Sequence, residues 1–178
     1  HLKSKRPALL IVDMQVGLFN GPEKPYERER VLEHINQLTR KARKVGAPIF
    51  AARHTGPKGS PIELGSPLWQ LLADLDVDEA MDTVFNKTRP SCFFETGLSQ
   101  HLVEAGVSEL VIAGMKTQYC IDTTCRIAVE QGFQPVLVAD AHTCMDIPVL
   151  QAKAIIEQHN MTLNGPFVKL ANTADFHF

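Results

Sequence analysis

The sequence predicts an α/β protein, with a mostly parallel sheet of about six strands lying between two layers of helices. Three observations support this fold class. The length of 178 residues corresponds to about one domain. Short apolar runs alternate with amphipathic segments of ten or more residues, which is the pattern of parallel strands joined by crossover helices. Neither a linker nor an internal repeat interrupts the pattern, so we expect a single three-layer, doubly wound (Rossmann-like) domain over residues 1–178.

The first half of the chain supplies three predicted strands and one long helix. The uninterrupted apolar run from Ala8 to Val12 is typical of a strand that is buried on both faces. Apolar residues then recur at helical spacing between Glu27 and Val45, and Gly46 follows the last turn. The remaining predictions are strands at 48–52 and 83–85, an irregular loop over 53–67, and a short helix over 68–75.

The second half continues the alternation. Leu98, Leu102 and Ala105 share one helical face, and Gly106 ends that helix. A further helix is predicted from Cys120 to Glu130, because its apolar residues lie on one face. The other predicted elements are strands at 110–113, 135–139 and 167–170 and a helix at 149–159.

Composition excludes several classes of function. The 18 basic and 20 acidic residues give a net charge of −2, which provides no basic field for nucleic acid. The apolar runs are far shorter than the roughly 18 residues of a membrane span, and no secretory leader is recognisable. Four irregularly spaced cysteines do not suit a disulfide framework or zinc knuckles. We therefore expect a soluble, cytoplasmic protein with free thiols, at least one of which is available as a reagent.

In a doubly wound sheet, ligands bind outside the carboxyl ends of the strands. Polar residues follow several predicted strands of this chain and are the first candidates for a site. They are Asp13, His54, Lys87, the segment 114–120, Asp140 and His142. Of these, Asp140 is interpreted as structural, and the role of His142 is left open.

Cys120 lies at the predicted start of a helix, where the helix dipole favours a thiolate over a thiol. A nearby base and a cation would activate the thiol further, and Asp13 and Lys87 are suited to these two roles. Each residue also has a structural explanation when taken alone, since cysteines pack as small apolar groups and strand ends carry polar residues. Their coincidence on three strand ends favours a catalytic site.

Three stretches, LLIVDMQVGLF (9–19), KTRPSCFFETGL (87–98) and GMKTQYCIDTTCRIAVEQGF (114–133), resemble the isochorismatase-like cysteine hydrolases in order and spacing. The resemblance covers nearly the whole chain, through the helix that ends in QHN (158–160). It places the Asp-Lys-Cys triad of that family on Asp13, Lys87 and Cys120.

The resemblance implies a mechanism. Cys120 would attack a carbonyl carbon and form a thioester acyl-enzyme, while Asp13 accepts the thiol proton and later passes it to the leaving amine. Backbone N–H groups of Lys116 and Cys120 would form the oxyanion hole, helped by a non-proline cis peptide that maps to Met115–Lys116. The implied substrate is a small amide, carbamoyl or lactam-like molecule whose C–N bond is cleaved.

The sequence departs from the metal-binding members of the family. Those members carry an Asp-x-His pair and a second histidine, whereas this chain has Ala52, Arg53 and His54, and its next histidine is His101. Alanine has no ligand atom, so we predict no metal and no other cofactor, and nicotinamide becomes a less favoured substrate. Side chains predicted to contact substrate, with core packing as the alternative for the aromatic ones, are Gln15, Phe19, His54, Trp69, Phe93 and Tyr119.

Two further functions remain open at this point. Members that hydrolyse the vinyl ether of isochorismate lack the cysteine, so that reaction predicts a dispensable Cys120. A non-catalytic or thiol-redox binding protein would also suit the same fold, because fold does not determine function. The expected partners are a small-molecule substrate and, as the resemblance implies, further copies of the chain in a homodimer or homotetramer, without nucleic acid or membrane.

Overall fold

A computed structural model describes residues 5–178 of the protein. These residues form a six-stranded sheet in which every neighbouring pair of strands is parallel, in the order β3-β2-β1-β4-β5-β6. The strands are β1 (Pro7–Val12), β2 (Ile49–His54), β3 (Thr83–Lys87), β4 (Glu109–Met115), β5 (Gln134–Thr143) and β6 (Lys169–Ala171).

Helices cover both faces of the sheet. Five α-helices are present in residues 5–178, together with a 3-10 turn at Pro67–Trp69 and a π-helical turn at Thr117–Ile121. Buried residues of α2 pack in one core cluster, and buried residues of α3 and α4 pack in the other. The helices are α1 (Val16–Phe19), α2 (Arg28–Lys44), α3 (Leu98–Glu104), α4 (Asp122–Glu130) and α5 (Ala152–Leu163).

Strand β1 lies at the centre of the sheet and is buried on both faces, as its apolar run predicts. Leu10 and Val12 belong to the core beneath α3 and α4, whereas Leu9 and Ile11 belong to the core beneath α2. None of these four side chains is exposed to solvent. Burial of each stabilises the fold by roughly 1.5–3 kcal/mol. The three-layer, doubly wound architecture predicted from the sequence is therefore confirmed.

The prediction of a short helix over residues 68–75 is wrong. Only Pro67–Trp69 is helical, and the following residues are extended or turned. The backbone N–H of Leu72 donates to Met14 O, and Val16 N–H donates to Gln70 O. Because this segment satisfies its backbone groups against the connection between β1 and α1, it does not need to form helical hydrogen bonds.

Several boundaries also differ from the prediction. Strand β5 continues to Thr143 through an irregularity in its pairing with β4, and α5 begins at Ala152 rather than at residue 149. The last strand is shifted to Lys169–Ala171, and the short helix α1 was not predicted. These differences fall on element ends and short segments, where tertiary contacts outweigh local sequence pattern.

Gly114 allows β4 to approach the end of β1. Its φ is +128°, and a Cβ atom at this position would lie 2.2 Å from Val12 O and 2.6 Å from Val12 N. Only glycine can occupy such a position without moving the backbone. The approach brings the residues after β4 next to Asp13, which follows β1 directly.

The four cysteines of the chain are free and buried. This agrees with the expectation of unpaired thiols. Within residues 5–178, no helix has the length and apolar character that a membrane span requires.

Candidate active site

The strand order reverses between β1 and β4, and this switch point is where doubly wound sheets bind ligands. Asp13 follows β1, Lys87 is the last residue of β3, and Cys120 lies in the π-helical turn after β4. Parallel pairing places all three strand ends at the same edge of the sheet. The sheet therefore collects three side chains that are more than 100 residues apart in sequence at their extremes.

Lys87 lies at the centre of the site. Its Nζ is 2.9 Å from Asp13 Oδ2 and 3.2 Å from Cys120 Sγ. The same ammonium is 2.9 Å from His54 Nδ1 and donates to Arg89 O at 3.1 Å. The side chain of Lys87 is fully buried, so this ammonium depends on protein groups for its hydrogen bonds. The predicted cluster of Asp13, Lys87 and Cys120 is thus present as one set of contacts.

Asp13 adopts a backbone conformation that directs the chain out of β1. Its φ is +55°, in the left-handed region that aspartate tolerates better than most residues. Its backbone N–H still donates to Ala52 O at 3.1 Å, as though the strand continued. While Oδ2 pairs with Lys87, the buried Oδ1 makes no hydrogen bond to another described residue. One carboxylate oxygen is consequently available to receive a proton.

Burial has the largest effect on the pKa of Asp13. Desolvation raises the pKa of Asp13 above its ordinary value, although attraction to Lys87 opposes the shift. For Lys87, desolvation acts to lower the pKa, but attraction to Asp13 and to the sulfur atoms of Cys92 and Cys120 outweighs it. The pKa of Lys87 is therefore raised, and the side chain stays an ammonium at neutral pH.

The expected thiolate at Cys120 is corrected by the structure. Burial, followed by repulsion from Asp13, raises the pKa of the thiol to about 12, and Lys87 only partly opposes this shift. Loss of hydration around the sulfur acts against the thiolate that the dipole of the following helix favours. In the resting site, Cys120 is a thiol beside the carboxylate of Asp13, rather than a preformed thiolate.

Residues 115–121 lead from the end of β4 through the turn that carries Cys120. The peptide bond between Met115 and Lys116 is cis. The carbonyl of Lys116 accepts from the N–H groups of Tyr119 and Ile121, which ties the start of the π-helical turn to Cys120. The N–H of Lys116 donates to no described residue. The oxyanion-hole role of Lys116 and Cys120 stays a prediction.

A small cavity of about 260 Å³ opens onto the sulfur. The surface that lines it is almost entirely apolar, and Asp13 and Cys120 of the triad contribute to this lining. His54 and Tyr119, both predicted to contact substrate, line this cavity. The complete lining is Asp13, Leu18, His54, Pro90, Lys116, Tyr119 and Cys120.

Gln15 and Trp69 are not among the residues that line this cavity, and their predicted contact with substrate stays a prediction. The Gln15 amide accepts from His54 N–H at 2.8 Å and donates to His54 O at 3.0 Å and Trp69 O at 2.9 Å. Trp69 is buried, donates through Nε1 to Thr55 Oγ1, and has Arg53 stacked 3.7 Å from its ring centroid. Both side chains are fully engaged with the protein and hold the end of β2 in place.

Phe19 and Phe93 also do not line the cavity, and their predicted substrate contact stays a prediction. Phe19 packs in the core beneath α2, with Arg28 5.0 Å from its ring centroid. Phe93 stacks on Phe133 at 6.0 Å and faces a neighbouring surface cavity. Core packing, the alternative considered for the aromatic residues, explains both positions.

Leu18 and Pro90, which form walls of the cavity, were not predicted from the sequence. Leu18 lies on α1, and Pro90 follows the strand end that carries Lys87. Neither residue belongs to a periodic pattern. Both residues lie inside stretches that carry the family resemblance, 9–19 and 87–98, and this was the sequence signal that could have pointed to them.

His142, which the sequence left undecided, lies outside the cavity and supports the turn that carries Cys120. Its Nδ1 is 2.8 Å from Thr117 Oγ1, and its Nε2 is 2.7 Å from Asn160 Oδ1. Asn160 Nδ2 donates to Ala139 O, which leaves its Oδ1 as the acceptor of a proton on His142 Nε2. Burial lowers the pKa of His142 to about 4, so the ring is neutral at physiological pH.

The side chains at the site do not fit a bound metal ion. The potential ligand atoms of Asp13, His54 and Cys120 lie within 4.8 Å of one another. However, Lys87 Nζ already lies within 3.2 Å of an atom of each. A second cation among the same three side chains would be repelled by this ammonium. Ala52, in the position of the family's aspartate ligand, is buried and has no ligand atom.

The fold and the site together define a class of α/β/α enzymes that carry their reacting groups at the switch point of a parallel sheet. A family model for the Isochorismatase domain matches residues 7–168. The chain therefore belongs to the isochorismatase family.

Individual relatives agree with this assignment. Streptothricin hydrolase of Streptomyces noursei is 36 % identical over 141 residues, which cover 79 % of this chain and 51 % of that enzyme. This chain thus spans about half the length of the streptothricin hydrolases it matches. YddQ, an uncharacterized isochorismatase family protein of Bacillus subtilis strain 168, is 31 % identical over 180 residues, covering 95 % and 97 % of the two chains.

The similarity extends to solved structures. The crystal structure of an isochorismatase family protein superposes with a TM-score of 0.88 at 32 % identity. The superposition covers 96 % of this chain and 100 % of the other.

Proposed function

We propose that this chain is a metal-independent cysteine hydrolase that cleaves the C–N bond of a small amide, carbamoyl or lactam-like substrate. The observation that carries the proposal is the position of Lys87 Nζ between Asp13 Oδ2 and Cys120 Sγ, at 2.9 and 3.2 Å. An acid and a thiol that share contacts with one ammonium can generate a sulfur nucleophile without a metal. The similarity to streptothricin hydrolase supports hydrolysis as the reaction.

In the first step, Cys120 Sγ forms a bond to the carbonyl carbon while the thiol proton moves to Asp13. The raised pKa of Asp13 makes its carboxylate a stronger base than an exposed aspartate. Negative charge moves from the carboxylate toward the sulfur, and Lys87 contacts both groups throughout. The ammonium therefore stabilises the transfer without itself losing a proton.

The carbonyl oxygen becomes negatively charged as the sulfur attacks. In this proposal the backbone N–H groups of Lys116 and Cys120 donate to that oxygen. A preorganised donor of this kind contributes about 3 kcal/mol to transition-state stabilisation.

Collapse of the intermediate breaks the C–N bond, and the leaving amine takes the proton from Asp13. A water molecule then gives a proton to Asp13 as its oxygen bonds to the thioester carbon. The C–S bond breaks, the acid product departs, and the proton returns from Asp13 to Cys120. Atoms and charges balance, because one water is consumed for each C–N bond that is cleaved.

The test is a screen of small amides, ureas and lactams for release of ammonia or amine. We expect hydrolysis by the unmodified chain and a loss of at least about a hundred-fold in Cys120→Ala. Cys144→Ala is the matched control, because Cys144 is also a buried free thiol but lies in a separate core cluster. That variant is expected to retain activity.

A covalent intermediate provides the second readout. Acid quenching during turnover should leave the acyl group on the peptide that contains Cys120, where mass spectrometry detects it. Full activity in Cys120→Ala would contradict the proposal and favour vinyl ether hydrolysis. Absence of any hydrolysis together with an unreactive Cys120 would favour a non-catalytic binding protein.

Three other expectations stay predictions. They are assembly into a homodimer or homotetramer, a cytoplasmic location, and the absence of nucleic acid partners.

A further inference from the structure

His54 is held at the edge of the cavity by its backbone. It ends β2, where it pairs with Lys87 in the parallel register of β2 and β3. The Gln15 amide binds both its N–H and its C=O, at 2.8 and 3.0 Å. Because the buried Gln15 side chain binds both backbone groups of His54, it fixes the position from which the imidazole extends.

The contact with Lys87 determines which ring nitrogen carries the proton. Lys87 Nζ lies 2.9 Å from His54 Nδ1, and an ammonium can only donate. Nδ1 must therefore accept, and in a neutral ring the proton lies on Nε2. Burial, together with the charge of Lys87, lowers the pKa of His54, which favours the neutral ring.

The second ring nitrogen is left for a ligand. Among residues 5–178, the His54 side chain makes its one hydrogen bond through Nδ1, so Nε2 has no protein acceptor. His54 lines the cavity above Cys120, where the neighbouring walls of Leu18 and Pro90 present no acceptor from their side chains. An N–H group beside a nearly apolar cavity gains its hydrogen bond when a ligand supplies an acceptor.

We propose that His54 determines substrate specificity by donating a hydrogen bond from Nε2–H to a second acceptor on the substrate, distinct from the carbonyl under attack. This inference rests on the function proposed above and narrows its substrate class. The cavity of about 260 Å³ is smaller than the roughly 300–1,000 Å³ typical of sites for drug-sized ligands. The favoured substrate is thus a compact carbonyl compound with a second acceptor, such as a cyclic imide or ureide.

The same arrangement selects against a substrate that places a donor at this position. Two N–H groups would then face each other without an acceptor between them. Such a substrate forms one hydrogen bond fewer at His54 than a substrate with an acceptor there.

The tautomer is tested by NMR on protein with ¹⁵N-labelled histidine, in the Cys120→Ala background. We expect the Nε2 of His54 to give a protonated and Nδ1 an unprotonated signal between pH 6 and 8, assigned by their loss in His54→Gln. A proton on Nδ1, or a charged ring at pH 7, overturns the proposal.

Ligand selectivity is tested by calorimetry in the same background, which removes turnover. The probes are succinimide and 2-pyrrolidinone, which share a five-membered ring and differ by one carbonyl group. Succinimide is expected to bind about five-fold more tightly, because one additional neutral hydrogen bond is formed. His54→Phe should abolish this preference, and His54→Gln, which keeps an N–H donor, should restore part of it.

The control is His101→Phe, because His101 lies exposed on α3 away from the cavity. It should keep the preference for succinimide. A preference that persists in His54→Phe, or no preference in the parent background, overturns the proposal. The NMR and calorimetry experiments do not depend on catalysis. If they give the expected tautomer and selectivity while the hydrolysis screen fails, only the proposed function is overturned.

Discussion

The ion pair between Asp13 and Lys87 is the buried charge pair at the centre of the site. Both side chains are almost fully buried, with exposed fractions of 2 % and 0 %. Each charge has lost its hydration, and each depends on the other for compensation. Removing one partner should therefore be more harmful to the fold than removing both.

This asymmetry can be measured by urea unfolding. Lys87→Met leaves the carboxylate of Asp13 without its counterion and is expected to lower the free energy of unfolding by about 3–5 kcal/mol. The double variant Asp13→Asn/Lys87→Met should recover part of that loss, because neither charge remains. The matched control is Arg40→Met, which breaks the exposed pair with Glu33 and should cost less than about 1 kcal/mol. Additive effects in the double variant would contradict the prediction.

Sequence reasoning located these residues but not their protonation. Asp13 and Lys87 end predicted parallel strands, and such ends must meet at one edge, so their proximity followed from topology. The pKa of Cys120 depends instead on how deeply the sulfur is buried and how close the carboxylate lies. Neither quantity is encoded in the local pattern around Cys120, and the helix dipole alone leaves out the burial that raises the pKa of the thiol.

Among the elements, β4 is the one whose position most directly shapes the site. Gly114 brings it against Val12 at the end of β1, and the turn with Cys120 starts three residues later. A methyl group on residue 114 would overlap backbone atoms that cannot rotate away. The separation of β1 and β4 at this point therefore depends on the absence of a side chain.

We expect Gly114→Ala to lower the free energy of unfolding by more than 3 kcal/mol, or to prevent folding, because it combines a backbone overlap with a positive φ. Gly46→Ala is the matched control. Gly46 also has a positive φ, +72°, but a Cβ there would meet nothing within 4 Å. Its expected cost is about 1 kcal/mol. Thermal and urea unfolding compare the two, and equal losses would show that the overlap has no effect.

The longer elements were predictable because their apolar pattern matches their burial. Helix α2 keeps its apolar residues on one face, and β1 is apolar throughout, so each pattern matches its environment. The structure of the segment around Leu72 depends instead on a neighbouring segment, since Leu72 N–H donates to Met14 O. Such pairing depends on which segments meet in space. The cavity wall at Leu18 comes from a similarly short element, α1, and was missed for that reason.

At the scale of the whole molecule, stability should depend on the pH because a histidine is buried without charge. His142 is almost fully buried, and its pKa falls from an ordinary 6.5 to about 4 in the fold. Below pH 6.5 the unfolded chain binds a proton at this residue that the folded chain does not bind until about pH 4. Protonation therefore favours unfolding within that window.

The contribution of His142 to the free energy of unfolding should fall by up to about 3 kcal/mol as the pH decreases from 7 to 4, since each unit of pKa difference corresponds to about 1.4 kcal/mol. His54, whose pKa is also lowered by burial, adds to the decrease in the same direction. Urea unfolding at several pH values measures the slope. His142→Gln keeps a polar group beside Thr117 and Asn160 but cannot take up the proton. Its free energy of unfolding should therefore depend less steeply on pH, whatever its stability at pH 7. The exposed His101 provides the control, because His101→Gln should retain the slope of the parent chain. An unchanged slope in His142→Gln would mean that the acid sensitivity of the fold originates elsewhere.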